Sequence, residues 1–208
     1  MSHELAFFGG EPIRETPFPK LRNIGEEEKK AVNEVLDADL LSGFAASWSD
    51  RFYGGPRVQK LERAWEEYFK VKYAVAINSA TSGLQAAVAA AGVGPGDEVI
   101  VTPYSMITSA TSVFVTGAVP VFADIDERTF CITAETIRPC ITPRTKAILM
   151  VQLFGHTEDM DPIMALAKEH NLVVIEDASQ SPAGTYKGQF SGTIGDPNLP
   201  TRHSKTWR

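Results

Sequence analysis

The stretch "LVVIEDASQSPAG" (172–184) sets an unbroken apolar run against two adjacent carboxylates, Glu176 and Asp177, and then a series of small residues. A short run of this kind, rich in β-branched side chains, suits a strand buried on both faces, the form taken in parallel sheets covered by helices. Comparable runs precede it at "YAVAIN" (73–78), "EVIVTP" (98–103), "VPVFAD" (119–124) and "KAILMVQ" (146–152). Segments of helical composition separate them, long enough for crossover helices. The alternation predicts βαβ units: an α/β fold with a mostly parallel sheet and helices on both faces.

Ligands of such sheets collect beyond the carboxyl ends of the strands. Attention therefore falls on Asn78 to Gly83, Thr102 to Met106, Asp124 to Asp126, Phe154 to His156 and Glu176 to Gln180. Upstream, residues 1–24 lack periodicity and read as an extended arm, and "GEEEKKAVNEVLDADLL" (25–41) reads as an amphipathic helix that opens on acids. A Gly- and aromatic-containing loop follows. In "RVQKLERAWEEYFKV" (57–71), Val58, Leu61, Trp65, Tyr68 and Phe69 fall on one helical stripe, which predicts packing into the core. The organisation expected is an arm, helix and loop over 1–56, a large α/β domain over 57–196, and a divergent tail over 197–208.

The chain has 208 residues, 43% of them hydrophobic, and a formal net charge of −6. It is long enough to bury a core without disulfides. The acidic balance and the lack of any Lys/Arg run exclude a nucleic-acid footprint, which needs clustered positive charge. No apolar run is long enough to span a membrane, and the first 30 residues carry acids where a signal peptide is apolar, so the expected location is cytoplasmic. Cys131 and Cys140 match no zinc or redox spacing and read as structural thiols.

"NSATSGLQAAVAAAGV" (78–93) leads from a strand through small residues into an Ala-rich helix. The unpaired N–H groups and dipole of such a start stabilise a phosphate. They are also served by plain capping from Ser79 or Thr81, and the residues alone leave both readings open. Neither GxGxxG after a strand nor GxxxxGK[ST] occurs, so an anion held at Ala80 and Thr81 would belong to some other phosphate compound. Asp177, at another strand end, either caps the next turn or faces a cation. A protonated pyridine nitrogen is such a cation, and pyridoxal phosphate (PLP) chemistry needs a carboxylate there.

Three blocks in order, "GGPRVQKLERAWEEYFKVKYAVAINSATSGLQAAV" (54–88), "GPGDEVIVTPYSMITSATSVFVTGAVPVFADID" (94–126) and "LFGHTEDMDPIMALAKEHNLVVIEDASQSPAGTYKG" (153–188), resemble the DegT/DnrJ/EryC1/StrS sugar aminotransferases. The resemblance implies the aspartate-aminotransferase fold (PLP fold type I). It also implies transfer of an amino group from glutamate or glutamine to a nucleotide-linked keto sugar or a keto cyclitol, at a site on a dimer interface. By resemblance, Ala80 and Thr81 hold the cofactor phosphate, Asp177 pairs with the pyridine nitrogen, and Gln180 faces the phenolic oxygen. The ring-stacking position falls on Met106, with Tyr104 two residues earlier. Asp159 is expected to cap the helix running to His170, His156 is a weak site candidate, and Asp124, Asp126 and Lys187 are read as fold and turn elements.

The match departs from the family at "GTIGDPNLPTRHSKTWR" (192–208), where Pro197 and Pro200 interrupt an expected strand. Lys205, nine residues after Asp196, is the candidate for the lysine that transamination requires. The expectation is a tail of out-of-frame or divergent sequence, with the remaining large-domain strands and the small domain missing. Alternative readings are a catalytically silent chain that pairs with a full-length homologue, or a PLP-dependent sugar dehydratase using His203 in place of lysine.

Overall fold

The computed structural model describes residues 5–19, 24–39, 41, 43, 48–49 and 52–195. The chain divides into two compact units, Met1–Gln59 and Lys60–Arg208. In the first, a short 3₁₀ turn (Ala6–Phe8) is followed by α1 (Glu26–Asp37). Three glutamates occupy the first turn of α1, where the helix dipole favours them, and the Gly25 N–H donates to Glu28 Oε2 at 2.6 Å. α2 (Pro56–Phe69) opens on proline, whose missing N–H costs nothing at a first helical position.

The second unit is built on a four-stranded parallel sheet, ordered β2-β1-β3-β4, comprising β1 (Glu98–Val101), β2 (Val119–Phe122), β3 (Thr145–Val151) and β4 (Val173–Asp177). Strand alternation sorts the side chains into two cores. Val99, Val101, Ala147, Leu149, Val151 and Ile175 face one side, against α3 (Ala80–Ala90) and α4 (Thr108–Phe114). Ile100, Ile148, Met150 and Val174 face the other, against α5 (Ala134–Ile137) and α6 (Met160–His170). This is the α/β architecture expected from the sequence. A hairpin, β5 (Thr185–Tyr186) and β6 (Gln189–Phe190), follows the sheet and turns at Lys187, whose amine pairs with Asp161.

Two expectations are overturned. The run 73–78 joins no ladder among the described residues: the Ala74 and Ala76 N–H groups instead donate to Glu66 Oε1 (3.1 Å) and Glu62 Oε1 (2.8 Å) on α2. The apolar stripe of α2 is not core, and Leu61, Trp65 and Tyr68 are each at least half exposed. No described strand pairs with residues 73–77. Phe190 meets the end of α2, edge-on to Phe69 at 5.1 Å and stacked on Tyr68 at 5.6 Å.

Candidate functional site

α3 starts as its sequence requires. Ser79 is extended (φ −163°) and its hydroxyl accepts the Ser82 N–H at 3.2 Å, so Ser79, not Thr81, is the cap. That bond satisfies one N–H of the first turn and leaves the positive end of the helix facing outward at Ala80 and Thr81. Ala80 is exposed and Thr81 half-buried. Gly83 lets α3 approach residue 77 closely, since a Cβ there would lie 2.4 Å from Ile77 Cδ1.

At the end of β4 the two adjacent carboxylates have separate tasks. Glu176 turns to its own chain, accepting Gly192 N–H (2.9 Å), Ile194 N–H (2.6 Å) and the Gly195 N–H, as well as Gln152 Nε2 (3.2 Å). Asp177, on the opposite parity, is 9% exposed and accepts the Ser179 N–H at 3.1 Å through Oδ1. A cleft of about 670 Å³ brings Ala80 and Asp177 together, with Leu61, Trp65, residues 73–77 and Thr193 also lining it. Gln180 is exposed and its Oε1 accepts the Phe154 N–H at 3.4 Å. Met106 lies 65% exposed on the loop after β1. Neither Gln180 nor Met106 lines the cleft, and Lys205 and His203 lie outside the described residues.

His156 lines a separate cavity of about 470 Å³ with Asp126, Cys131, Glu158, Asp159 and Tyr186. Asp126 is structural, accepting the Thr129 and Arg128 N–H groups at 2.9 and 3.1 Å, with its carboxyl held below the usual range chiefly by Thr129. Asp159 stands at the N-cap position of α6 but makes no capping bond, because its carboxylate accepts the Tyr186 hydroxyl instead. Glu158 is buried with no hydrogen bond to either carboxylate oxygen. Burial, with a contribution from the Glu176 charge, pushes its carboxyl up to about 7.

Sequence reading missed several of these features. The Glu62 and Glu66 pair has a visible signal, the i,i+4 spacing that puts both on one face of α2. The left-handed backbone of Phe154 (φ 55°) and its ring near Tyr104 (6.4 Å between centroids) have none. Chemically, the cleft pairs an anion-accepting helix start with a buried carboxylate able to hold a cation. A small molecule carrying a phosphate and a protonated ring nitrogen fits that donor set. No cluster of three ligating side chains occurs among the described residues. No helix among them is long and apolar enough to cross a membrane.

Solved proteins share this fold. An aminotransferase from Psychrobacter cryohalolentis is similar with a TM-score of 0.78 and 41% identity, over 86% of this chain and 43% of that one. NtdA from Bacillus subtilis, with bound cofactor PMP, is similar with a TM-score of 0.69 and 32% identity, over 81% and 37%. The fold is therefore that of the PLP fold-type I aminotransferases, represented in part. The chain belongs to the DegT/DnrJ/EryC1/StrS aminotransferase family, whose profile matches residues 22–199. It is 49% identical to a GDP-perosamine synthase from Caulobacter vibrioides over 81% of this chain and 43% of the relative. It is 37% identical to the L-glutamine:2-deoxy-scyllo-inosose aminotransferase of Streptomyces lividus over 99% and 48%. The chain thus spans somewhat less than half the length of these curated relatives.

Proposed function

We propose that this chain forms the cofactor-binding portion of a PLP-dependent aminotransferase. The enzyme would move an amino group from glutamate or glutamine to a nucleotide-linked keto sugar or a keto cyclitol. The observation that carries this reading is the single cleft in which the start of α3 and the buried Asp177 carboxylate meet. Bound PLP would supply an electron sink for carbanion chemistry. Asp177 would keep the ring nitrogen protonated, since a buried carboxylate favours a cationic partner. The Ala80 and Thr81 N–H groups and the Thr81 hydroxyl would hold the phosphate at the positive end of α3. Gln180 and Met106 lie outside the cleft lining and would have to turn toward the ring, Gln180 to donate to the phenolic oxygen and Met106 to pack on the ring face as a flexible, polarisable surface. Lys205 is the lysine candidate for covalent attachment and proton transfer. The working enzyme would be a homodimer or a pairing with a full-length homologue, in the cytoplasm.

A silent partner subunit is the second reading, favoured by the exposed face of α2. Titration with PLP, followed by borohydride reduction and peptide mass mapping, separates the two. The enzyme reading expects saturable binding with a reduced adduct on Lys205. Saturable binding without an adduct leaves the silent reading, and no binding removes both. Asp177→Asn is expected to weaken PLP binding by roughly 10- to 100-fold, the loss of one charge-assisted hydrogen bond of about 1.5–3 kcal/mol. An unchanged affinity would remove Asp177 from the site.

A further inference from the structure

A continuous set of hydrogen bonds joins Glu158, in the smaller cavity, to the wall of the cofactor cleft. The Glu158 N–H donates to the buried Gln152 Oε1 at 3.1 Å, and Gln152 Nε2 donates to Glu176 Oε2 at 3.2 Å. Glu176 in turn accepts the N–H groups of Gly192, Ile194 and Gly195. A second link runs beside the first, because the Thr157 and Ser191 hydroxyls lie 2.5 Å apart. Ser191, Gly192 and Thr193 line the same cleft as Ala80 and Asp177. The surroundings of the Glu158 carboxyl favour its neutral form. The Cys131 thiol lies beside it, and the Glu176 charge acts on it from β4. The other titratable side chains of its cavity are Asp126, Glu135, His156, Asp159 and Tyr186, and no Lys or Arg lines it. Asp126 and Asp159 are already engaged, with N–H groups of Arg128 and Thr129 and with the Tyr186 hydroxyl. An ionised Glu158 therefore needs water, and the space for it is the cavity of about 470 Å³ that residues 156–159 line.

We propose that Glu158 is a positioning residue for the cofactor cleft: buried and neutral, it keeps residues 191–195 against the site, and on ionising it shifts toward the smaller cavity and releases that wall. Because the device regulates the site assigned above, its part in cofactor uptake rests on the cofactor reading. The element with two arrangements is the wall itself. Hydration of the Glu158 carboxylate draws its N–H away from Gln152 and the Thr157 hydroxyl away from Ser191. Gln152 then no longer holds Glu176 in the orientation that gathers the three N–H groups. The direction with pH follows from linkage. In the closed form burial raises the carboxyl to about 7, whereas a hydrated carboxyl titrates near 4.5. The closed form is therefore fully favoured below pH 4.5, loses ground as pH rises toward 7, and loses no more above it. From pH 5.5 to pH 7.5 the ratio of released to closed wall rises about 20-fold.

Amide hydrogen exchange reads this ratio at Gly192, Ile194 and Gly195, once the intrinsic pH dependence of exchange is divided out. In the parent the corrected rates are expected to rise about 20-fold from pH 5.5 to pH 7.5. They should also stay faster than those of the buried Ile148 and Leu149 in β3, which report global unfolding. In Glu158→Gln, which keeps the shape of the neutral acid, the rise is expected to stay below about threefold. Histidine is the other side-chain type that titrates in this range, so His156→Gln is the control and is expected to keep the rise. PLP at saturation is expected to slow the three amides by about threefold or more at pH 7.5, because a ligand that binds the closed wall must favour it. The inference is overturned if the parent rates do not rise, if Glu158→Gln follows the parent, if the rise disappears with His156, or if the three amides exchange only as β3 does. PLP that binds without slowing them overturns it as well. A chain that shows the rise but binds no PLP leaves the positioning by Glu158 standing and removes the cofactor reading.

Discussion

Glu158 offers a direct test of how burial acts in this fold. Glu158 is 3% exposed, with the Cys131 thiol beside its carboxyl, and burial raises its pKa from 4.5 to about 7. Between those values the native state holds a proton that the unfolded chain has already released. Stability is therefore greatest below pH 4.5 as far as this group is concerned, falls as pH rises toward 7, and levels off above it. The rise of about 2.5 units corresponds to roughly 3 kcal/mol, at about 1.4 kcal/mol per unit. Glu158→Gln keeps the shape of the neutral acid and removes the titration. The other shifted carboxyls, Glu28, Glu98, Asp126, Glu135 and Asp161, are lowered, so their contributions are complete above their unfolded values and are lost only in stronger acid. Urea unfolding at pH 5 and pH 8 thus isolates Glu158. The variant is expected to exceed the parent by about 1 kcal/mol or less near pH 5 and by about 3 kcal/mol at pH 8. A parent with equal stability at the two pH values, or a variant that follows the parent's pH dependence, would refute burial as the dominant influence on this carboxyl.

Further outcomes follow from the same structure. Glu176→Ala removes the acceptor of three backbone N–H groups in residues 192–195, and is expected to cost about 2–4 kcal/mol and to speed amide exchange there. Fast exchange already present in the parent would contradict it. Burial and the nearby Glu158 charge push the Cys131 thiol up to about 12, so at pH 8 a disulfide reagent should modify Cys131 only after unfolding, in a mass-mapped time course. Gly184→Ala would put a Cβ 2.1 Å from the buried Ser181 Oγ, and is expected to lower stability by about 1–3 kcal/mol in thermal or urea unfolding. A neutral result would mean that Ser181 has room to rotate.

Much of the site was legible because its parts are local. A strand that ends on a carboxylate and a strand that leads through small residues into a helix are contiguous patterns, and each carries its own physics. That Glu176 and Asp177 divide their work is also a matter of strand parity, but the direction of each needs the sheet. The capping of α6 was misread because Tyr186, 27 residues away, competes for Asp159. No local pattern reveals such a partner. The apolar stripe of α2 was read as core for a related reason: periodicity fixes which side chains share a face, whereas the neighbour that covers the face is set elsewhere in the chain.

By itself the sequence determined the alternating βαβ plan, the helix start at Gly25 and a second one within Ser79–Thr81, and the residue types that cofactor chemistry at these strand ends requires. These depend on dihedral preference, hydrophobic period and side-chain chemistry, all properties of short stretches. Tertiary structure alone decided that Ala80 and Asp177 face one cleft, that Ala74 and Ala76 bond to Glu66 and Glu62 and not to a described strand, and that β4 ends the described sheet with Val174 and Glu176 turned outward. Those outcomes depend on which segments meet across long separations, and hydrogen-bond partners are assigned only when they do.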